Sequence, residues 1–209
     1  RSAFFYINLS AIFVIMFSNK LAKLRIITLT TSIILLVLIS LINPTAKERV
    51  FNKTLDQMNL TKEKKKIEGY EGIYIFSKAH THHYVTAYRM YLDNKVLGVG
   101  IKNFRNFCHY KKYFAGEFSC ATHPHNTYMQ ILAETGIIGF IFLIFILFYF
   151  FIHIIKHLKL RIKSKFLFTD FEICILSAIL IYLWPFIPTG NIFNNWLNII
   201  MILNLPFLA

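Results

Sequence analysis

Residues 123–152 read HPHNTYMQILAETGIIGFIFLIFILFYFFI, and this stretch decides the class of fold. From residue 126 onward it is apolar and long enough to cross a bilayer, which takes about 20 helical residues. A His-Pro-His-Asn cluster stands directly before this segment. Ionisable groups at the edge of a membrane helix are costly unless they are used, so the sequence predicts a functional site here.

Composition places the whole chain in the same class. Of the 209 residues, 56% are hydrophobic and 22 are Phe, more apolar surface than a soluble domain can hide. We expect an all-α, polytopic bundle of transmembrane helices with about five spans, near residues 3–17, 24–42, 126–152, 171–187 and 192–208. The first segment is short and the chain begins with Arg1 rather than Met. We therefore expect the C-terminal part of a longer protein.

The basic residues of the short loops predict the orientation. Lys20, Lys23 and Arg25 join the first two segments, and five basic residues between 156 and 165 follow the third, which marks both loops as cytoplasmic. Three regions follow. Residues 1–42 are expected to form two transmembrane helices with a basic cytoplasmic turn, 43–125 a large loop on the opposite face, and 126–209 three more transmembrane helices. In a bacterium with two membranes, that loop of the inner-membrane protein lies in the periplasm.

The formal net charge of +13 needs its own account, because the orientation rule applies only to short loops. The run KEKKK at residues 62–66 is typical of a solvated helix face or loop. The alternative is an anionic partner, either membrane lipid or a lipid-linked pyrophosphate, which arginine binds in bidentate fashion. Nucleic acid is not an expected partner on that face.

A helix and a tight turn are predicted in the second half of the large loop. Tyr84, Ala87, Tyr88 and Tyr91 recur at helical spacing, and Asp93-Asn94 supplies a stop. Such a helix lies either on the membrane surface or against the rest of the loop. The sequence GVG at residues 98–100 predicts a tight turn.

Cys108 and Cys120 lie in the same extracytoplasmic loop, where a disulfide persists. A bond between them would stabilise the loop by about 3 kcal/mol through loop-closure entropy. Two free thiols, or a zinc site shared with nearby histidines, are the alternatives. The spacing matches no zinc motif, so no metal site is predicted.

The start of the apolar helix after HPHN is predicted to supply a general base, and the free backbone N–H groups of its first turn suit a phosphate oxygen. Pro124 suits a first helical turn, which predicts His123 near the N-cap and His125 in the opening turn. The helix dipole there disfavours imidazolium, so His125 should be neutral, as a general base must be. Asn126, Gln130 and Glu134 follow at intervals of four and predict one polar stripe. The alternative role of this stripe is to join helices by hydrogen bonds.

With these motifs in place, the chain resembles the superfamily of O-antigen ligases and O-antigen polymerases. The resemblance rests on the order of a basic loop, GVGIKNF, HPHNTYMQILAETGIIGF and an apolar helix, over about residues 43–160. It implies a membrane glycosyltransferase of the inner membrane, inverting and without a metal or cofactor. The implied reaction moves a glycan from undecaprenyl pyrophosphate to a hydroxyl of lipid A core, or of a growing glycan if the protein is a polymerase.

The resemblance also implies roles for individual residues. His125 is the base, and Arg105, followed by Arg89 and Arg49, is the first choice for holding the pyrophosphate. Where members of the superfamily often have an arginine ahead of the GVG turn, this chain has HTHHY with His80 and Tyr84, which leaves open whether a histidine replaces one phosphate ligand. A non-catalytic membrane scaffold or transport subunit is the alternative from another class of function.

Overall fold

The computed structural model describes residues 2–18, 20–58, 60, 74, 76–186, 188–194, 196 and 198–199. This part of the chain is helical and contains no strand. Its helices are α1 Ser2–Phe17, α2 Ala22–Ile42, α3 Pro44–Lys47, a π-helical turn Glu48–Asn52, α4 Lys53–Gln57, α5 Lys78–Asp93, α6 Phe104–Phe107, α7 Thr127–Ile162 and α8 Asp170–Tyr182. The chain divides into two compact units, one drawn from residues 1–51 and 146–184, the other from 52–145 and 185–199.

Two helices, α2 and α7, are long and apolar enough to cross a membrane. The apolar part of α1, Phe5–Phe17, is shorter, and α8 has 13 residues. The prediction of a helical fold is confirmed, whereas a count of five spans stays a prediction. Most of the segment 192–208 and the KEKKK run lie outside the described residues.

The first unit packs α1 against α8. Phe13 and Phe17 on α1 form a buried cluster with Ile173 and Leu176 on α8. The N-terminus of α8 carries a complete capping box, in which the Thr169 side chain accepts the N–H of Glu172 and the Glu172 side chain accepts the N–H of Thr169. These contacts account for the position of the short helix α8 in the unit.

The second unit is built on α5, the helix that the tyrosine spacing predicted. Ala87 and Met90 on α5 are fully buried with Phe104 and Ala133, while Tyr88 on the opposite side is 48% exposed. Ser77 caps the start of α5, and Asn94 stands at its end. Of the two alternatives for this helix, the structure shows that one face packs against the rest of the loop.

The long helix α7 is broken near its start. Gly136 has φ 65° and ψ −159°, a conformation that is essentially restricted to glycine. Nine residues, Thr127 to Thr135, therefore form a separate short helical segment before the long apolar part. The helix predicted from residue 126 is therefore interrupted at Gly136, and the polar stripe Asn126, Gln130 and Glu134 lies wholly ahead of the break.

Candidate functional site

The GVG turn closes the break in α7 by exchanging hydrogen bonds with it. The carbonyls of Ala133 and Glu134 accept the N–H groups of Val99 and Gly100 at 2.9 and 3.0 Å. In return, the N–H groups of Ile137 and Ile138 donate to Lys95 and Val96 at 2.8 and 3.5 Å. An unbroken helix would pair Ala133 with Ile137 and Glu134 with Ile138. The turn thus supplies the partners that the break removes, as buried backbone requires.

Close approach explains why glycine stands on both sides of this contact. A Cβ atom on Gly98 would overlap the backbone of Glu134 and Thr135, and one on Gly136 would overlap the carbonyl of Val96. Gly98 also has φ +66°. Gly136 therefore serves the close approach of the GVG turn.

Glu134 ties the chain after the GVG turn to the same short helix. Its side chain is fully buried, and its carboxylate accepts the N–H groups of Phe104 at 2.9 Å and Lys102 at 3.1 Å. Gln130 donates its side-chain amide to Oε2 of the same carboxylate at 3.1 Å, the oxygen that also accepts the N–H of Lys102. Arg105 directly follows Phe104, so this carboxylate fixes the backbone on which Arg105 stands.

Asn126, rather than His123, caps the short helix. Its Oδ1 accepts the N–H groups of Tyr128 and Met129, both at 3.0 Å, as an N-cap side chain does. His125 precedes this cap with φ 56°, a left-handed conformation that is uncommon for a side-chain-bearing residue. The placement of His125 in the opening turn is therefore wrong. Strain of this kind persists where surrounding contacts fix it, and it is frequent at functional sites.

The segment 185–194 provides those surrounding contacts. The N–H of Thr189 donates to the carbonyl of His125 at 2.9 Å, and the carbonyl of Thr189 lies 3.3 Å from Nε2 of His123. Asn126 donates to Pro185, while the amide of Gln130 donates to Asn191 at 2.8 Å. The Pro- and Asn-rich segment therefore holds the HPHN turn in place from the other side.

The imidazole rings of three other histidines lie around that of His125. The ring centroid of His125 lies 4.2 Å from that of His123, 5.2 Å from that of His83 and 5.8 Å from that of His80. His80 and His83 share a face of α5 because they are three residues apart. We call these four residues the histidine cluster. Bonds to Thr122 and Thr189 occupy both ring nitrogens of His123, whereas no hydrogen bond to the ring of His125 is found in the described part of the chain.

Burial keeps the histidine cluster neutral. It lowers the pKa of His80 and of His83 to about 4, with a further contribution from the neighbouring His125. Burial is also what lowers the pKa of His125. The lowered pKa agrees with the neutral state expected of His125, although its cause is loss of hydration rather than a helix dipole. The role of His125 as a base stays a prediction.

Of the three candidate arginines, the structure brings Arg105 to the histidines. Burial and His125 lower the pKa of His123, and the Arg105 guanidinium is close enough to contribute. Arg105 itself is exposed. Arg89 donates to the carbonyl of Phe114 at 2.6 Å, and it lies about 180° around α5 from His80 at 100° per residue. Arg49 belongs to the first unit, whereas the residues of this site belong to the second.

A disulfide joins Cys108 and Cys120. It closes a ring of the chain over residues 108–120, which lie between Arg105 and His123 in the sequence. Cys108 is buried and Cys120 is exposed. Nδ1 of His109 lies 3.2 Å from the sulfur of Cys120 and 3.6 Å from that of Cys108. The two sulfurs and this nitrogen are close enough for a metal site, but sulfurs bonded to each other do not offer thiolate ligands.

The sequence did not single out His83 or Thr189 for this site. His83 is 7% exposed, and its Nδ1 has no hydrogen-bond partner in the described part of the chain. The three-residue spacing of His80 and His83 is the signal that could have shown that both side chains lie on one face of the helix. The Pro- and Asn-rich sequence WPFIPTGNIFNNW at residues 184–196 predicts polar groups on the same face as His125, but nothing in it singles out Thr189.

The fold and the site define a helical membrane protein with a polar centre next to an apolar helix. Comparison with protein families gives a match to the family described as O-Antigen ligase, over residues 1–144. The chain therefore belongs to the O-antigen ligase family. No curated protein and no solved structure matches the chain.

Proposed function

We propose that the protein is an O-antigen ligase-type glycosyltransferase of the bacterial inner membrane, with residues 43–125 in the periplasm. It transfers a glycan from undecaprenyl pyrophosphate to a hydroxyl of lipid A core. The observation that carries this proposal is the ring of His125, which burial keeps neutral, in a cluster with His123 near Arg105, inside a chain of this family. No hydrogen bond to that ring is found among the described residues. A polymerase of the same family would use the same centre with a growing glycan as acceptor.

In the proposed step, His125 removes the proton of the acceptor hydroxyl. The hydroxyl oxygen attacks the anomeric carbon in line, and the bond from that carbon to the pyrophosphate oxygen breaks. The product is an inverted glycosidic bond, a protonated His125 and free undecaprenyl pyrophosphate. A neutral imidazole is the required starting state of a general base.

Arg105 is the proposed ligand of the departing pyrophosphate. Its exposed guanidinium leaves its donors open to a phosphate, and charge-assisted bonds to phosphate are the strong ones. Negative charge grows on the pyrophosphate as the bond breaks, so a fixed cation there lowers the barrier. Arg89, whose guanidinium donates to the carbonyl of Phe114, is assigned to holding the loop.

His83 is proposed as the residue that positions His125. Its ring lies against that of His125, and no partner is found for its buried Nδ1 in the described part of the chain. With the proton on Nε2, this nitrogen can accept an N–H of the base. A hydrogen bond there would fix the tautomer of His125 and leave the other nitrogen for the hydroxyl. Replacement by Gln, which retains an acceptor, should preserve more activity than replacement by Leu, and only the Leu variant should displace the acidic limb of the pH–rate profile.

The test is glycan transfer in membranes that contain the full-length protein, with an undecaprenyl pyrophosphate glycan as donor and EDTA present. His125→Ala is compared with His109→Ala, which removes an exposed histidine next to the disulfide. We expect transfer by the wild type and His109→Ala, and none by His125→Ala at equal expression. Activity in His125→Ala would refute the assignment of the base, and loss of wild-type transfer in EDTA would refute the metal-free mechanism.

A further inference from the structure

The loop between α5 and α6 exposes three large aliphatic side chains. Val96 is 59% exposed, Leu97 71% and Ile101 58%. The backbone of this loop bonds to the break in α7. The three exposed side chains are not among those that form the site described above. Exposed aliphatic side chains grouped in one short loop indicate a contact with another apolar phase.

The position of the loop indicates which apolar phase these side chains contact. Its carbonyls at Lys95 and Val96 accept the N–H groups of Ile137 and Ile138, the first residues after the break. From there α7 is apolar and outward-facing, with Phe142 68% exposed. The exposed aliphatic residues of the loop thus stand beside the first turn of a helix that is long enough to span a bilayer.

The charges at the ends of the loop fit a lipid surface. Lys95 and Lys102 flank the aliphatic residues, and both are exposed. Neither forms an ion pair in the part of the chain that the structure describes. Lysine side chains at a membrane interface extend their ammonium groups to the phosphates while their methylene stems lie on apolar surface.

We propose that residues 95–102 form a membrane-contacting loop, which inserts Val96, Leu97 and Ile101 into the boundary between phospholipid headgroups and acyl chains. Lys95 and Lys102 then bind lipid phosphates. The inference depends on the membrane location of α7 and not on the proposed glycosyl transfer. It gives the loop two roles, since the same eight residues pair with the break in α7 and contact the leaflet.

The test uses spin labels on the full-length protein in phospholipid nanodiscs. Leu97→Cys and Ile101→Cys are made in a Cys174→Ser background, because Cys174 is the free cysteine of the described chain and the disulfide does not react with a thiol reagent. Glu117→Cys, at an exposed charged position of the same unit, is the water-facing control. Collision rates with oxygen, which concentrates in lipid, and with a water-soluble nickel chelate are measured at each label.

We expect the labels at 97 and 101 to collide several-fold less with the nickel chelate than the label at 117, and more with oxygen. Equal nickel collision rates at all three positions would overturn the proposal, because the loop would then face water. Low collision rates with both reagents would also overturn it, because the loop would then be covered by protein, either another part of the chain or a second copy. Glycan transfer by the labelled variants is measured separately and decides nothing about the lipid contact.

Discussion

The buried carboxylate of Glu134 accepts the backbone N–H of Phe104 at 2.9 Å, across thirty residues of sequence. With the bond from Lys102, this contact fixes the path of the chain between the GVG turn and Arg105. The Glu of the AETG sequence is therefore a structural anchor for the segment that carries the proposed phosphate ligand.

Replacement of Glu134 by Ala should destabilise the second unit. The buried N–H of Phe104 would lose its acceptor, which costs about 1–3 kcal/mol, and the partly exposed N–H of Lys102 would lose one at a smaller cost. We expect a lower temperature of unfolding in detergent micelles, measured by circular dichroism, and loss of glycan transfer. Glu117→Ala, at an exposed position, is the control, and equal unfolding temperatures for the two variants would show that the carboxylate does not anchor the turn.

Gly98→Ala should be among the most damaging small substitutions. Its φ of +66° alone costs of order 1–3 kcal/mol for a residue with a Cβ, and that Cβ would overlap the backbone of Glu134. Val96→Ala, two residues earlier on the exposed side of the loop, should leave the unfolding temperature nearly unchanged. If Gly98→Ala unfolds at the wild-type temperature, the turn does not seat against the break as described.

Stability should fall on acidification through the titration of His80 and His83. Their pKa values are about 4 in the folded chain, below the ordinary value of about 6.5 in the unfolded chain. Between those values the unfolded state binds more protons, so stability is complete above about pH 6.5 and declines as the pH falls towards 4. His83→Gln removes one such group, and its unfolding temperature should vary less with pH over this window than that of the wild type. An unchanged slope would mean that His83 is not buried as a neutral ring.

Arg105→Ala should weaken donor binding. Loss of a charge-assisted hydrogen bond costs about 1.5–3 kcal/mol, which corresponds to a rise of roughly ten- to a hundred-fold in the apparent KM for the lipid pyrophosphate. Lys111→Ala removes an exposed positive charge of the same segment and should change KM little. Equal effects of the two substitutions would indicate general attraction of an anion rather than a ligand at Arg105.

Cys120→Ser should lower the stability of the second unit by about 3 kcal/mol, because it opens the ring closed by the disulfide. Cys174→Ser breaks no disulfide and should have a much smaller effect. Both are measured by thermal unfolding in micelles under non-reducing conditions. If Cys120→Ser matches Cys174→Ser, the remaining hydrogen bonds already hold the ring.

The parts of the site that follow from local pattern were predictable from the sequence. The helical spacing around Tyr84 gave α5, and Gly98 and Gly100 gave a tight turn. The four-residue interval of Asn126, Gln130 and Glu134 gave a polar stripe, which the structure buries. Each of these depends on neighbours in the chain, where periodicity and turn chemistry act directly.

The features that depend on distant partners were not predictable. The helical spacing from residue 126 does not predict the break at Gly136, because the hydrogen bonds that compensate it come from residues 95–100. For the same reason His125 was expected inside the helix, while the contact that fixes its left-handed backbone comes from Thr189. Arg89 likewise donates to a distant partner, the carbonyl of Phe114, which its position in the sequence does not indicate.

The four backbone hydrogen bonds around Gly136 restrict where residues can be inserted into or deleted from the chain. An insertion or deletion within 95–100 or within 133–138 would shift donors against acceptors and leave buried backbone groups unpaired. The exposed residues 109–112 form backbone hydrogen bonds within their own turn and an exposed ion pair from Lys112 to Asp93, but their backbone does not pair with α7. Natural or engineered variants of this protein should therefore differ in length there, while the two paired segments keep their number of residues.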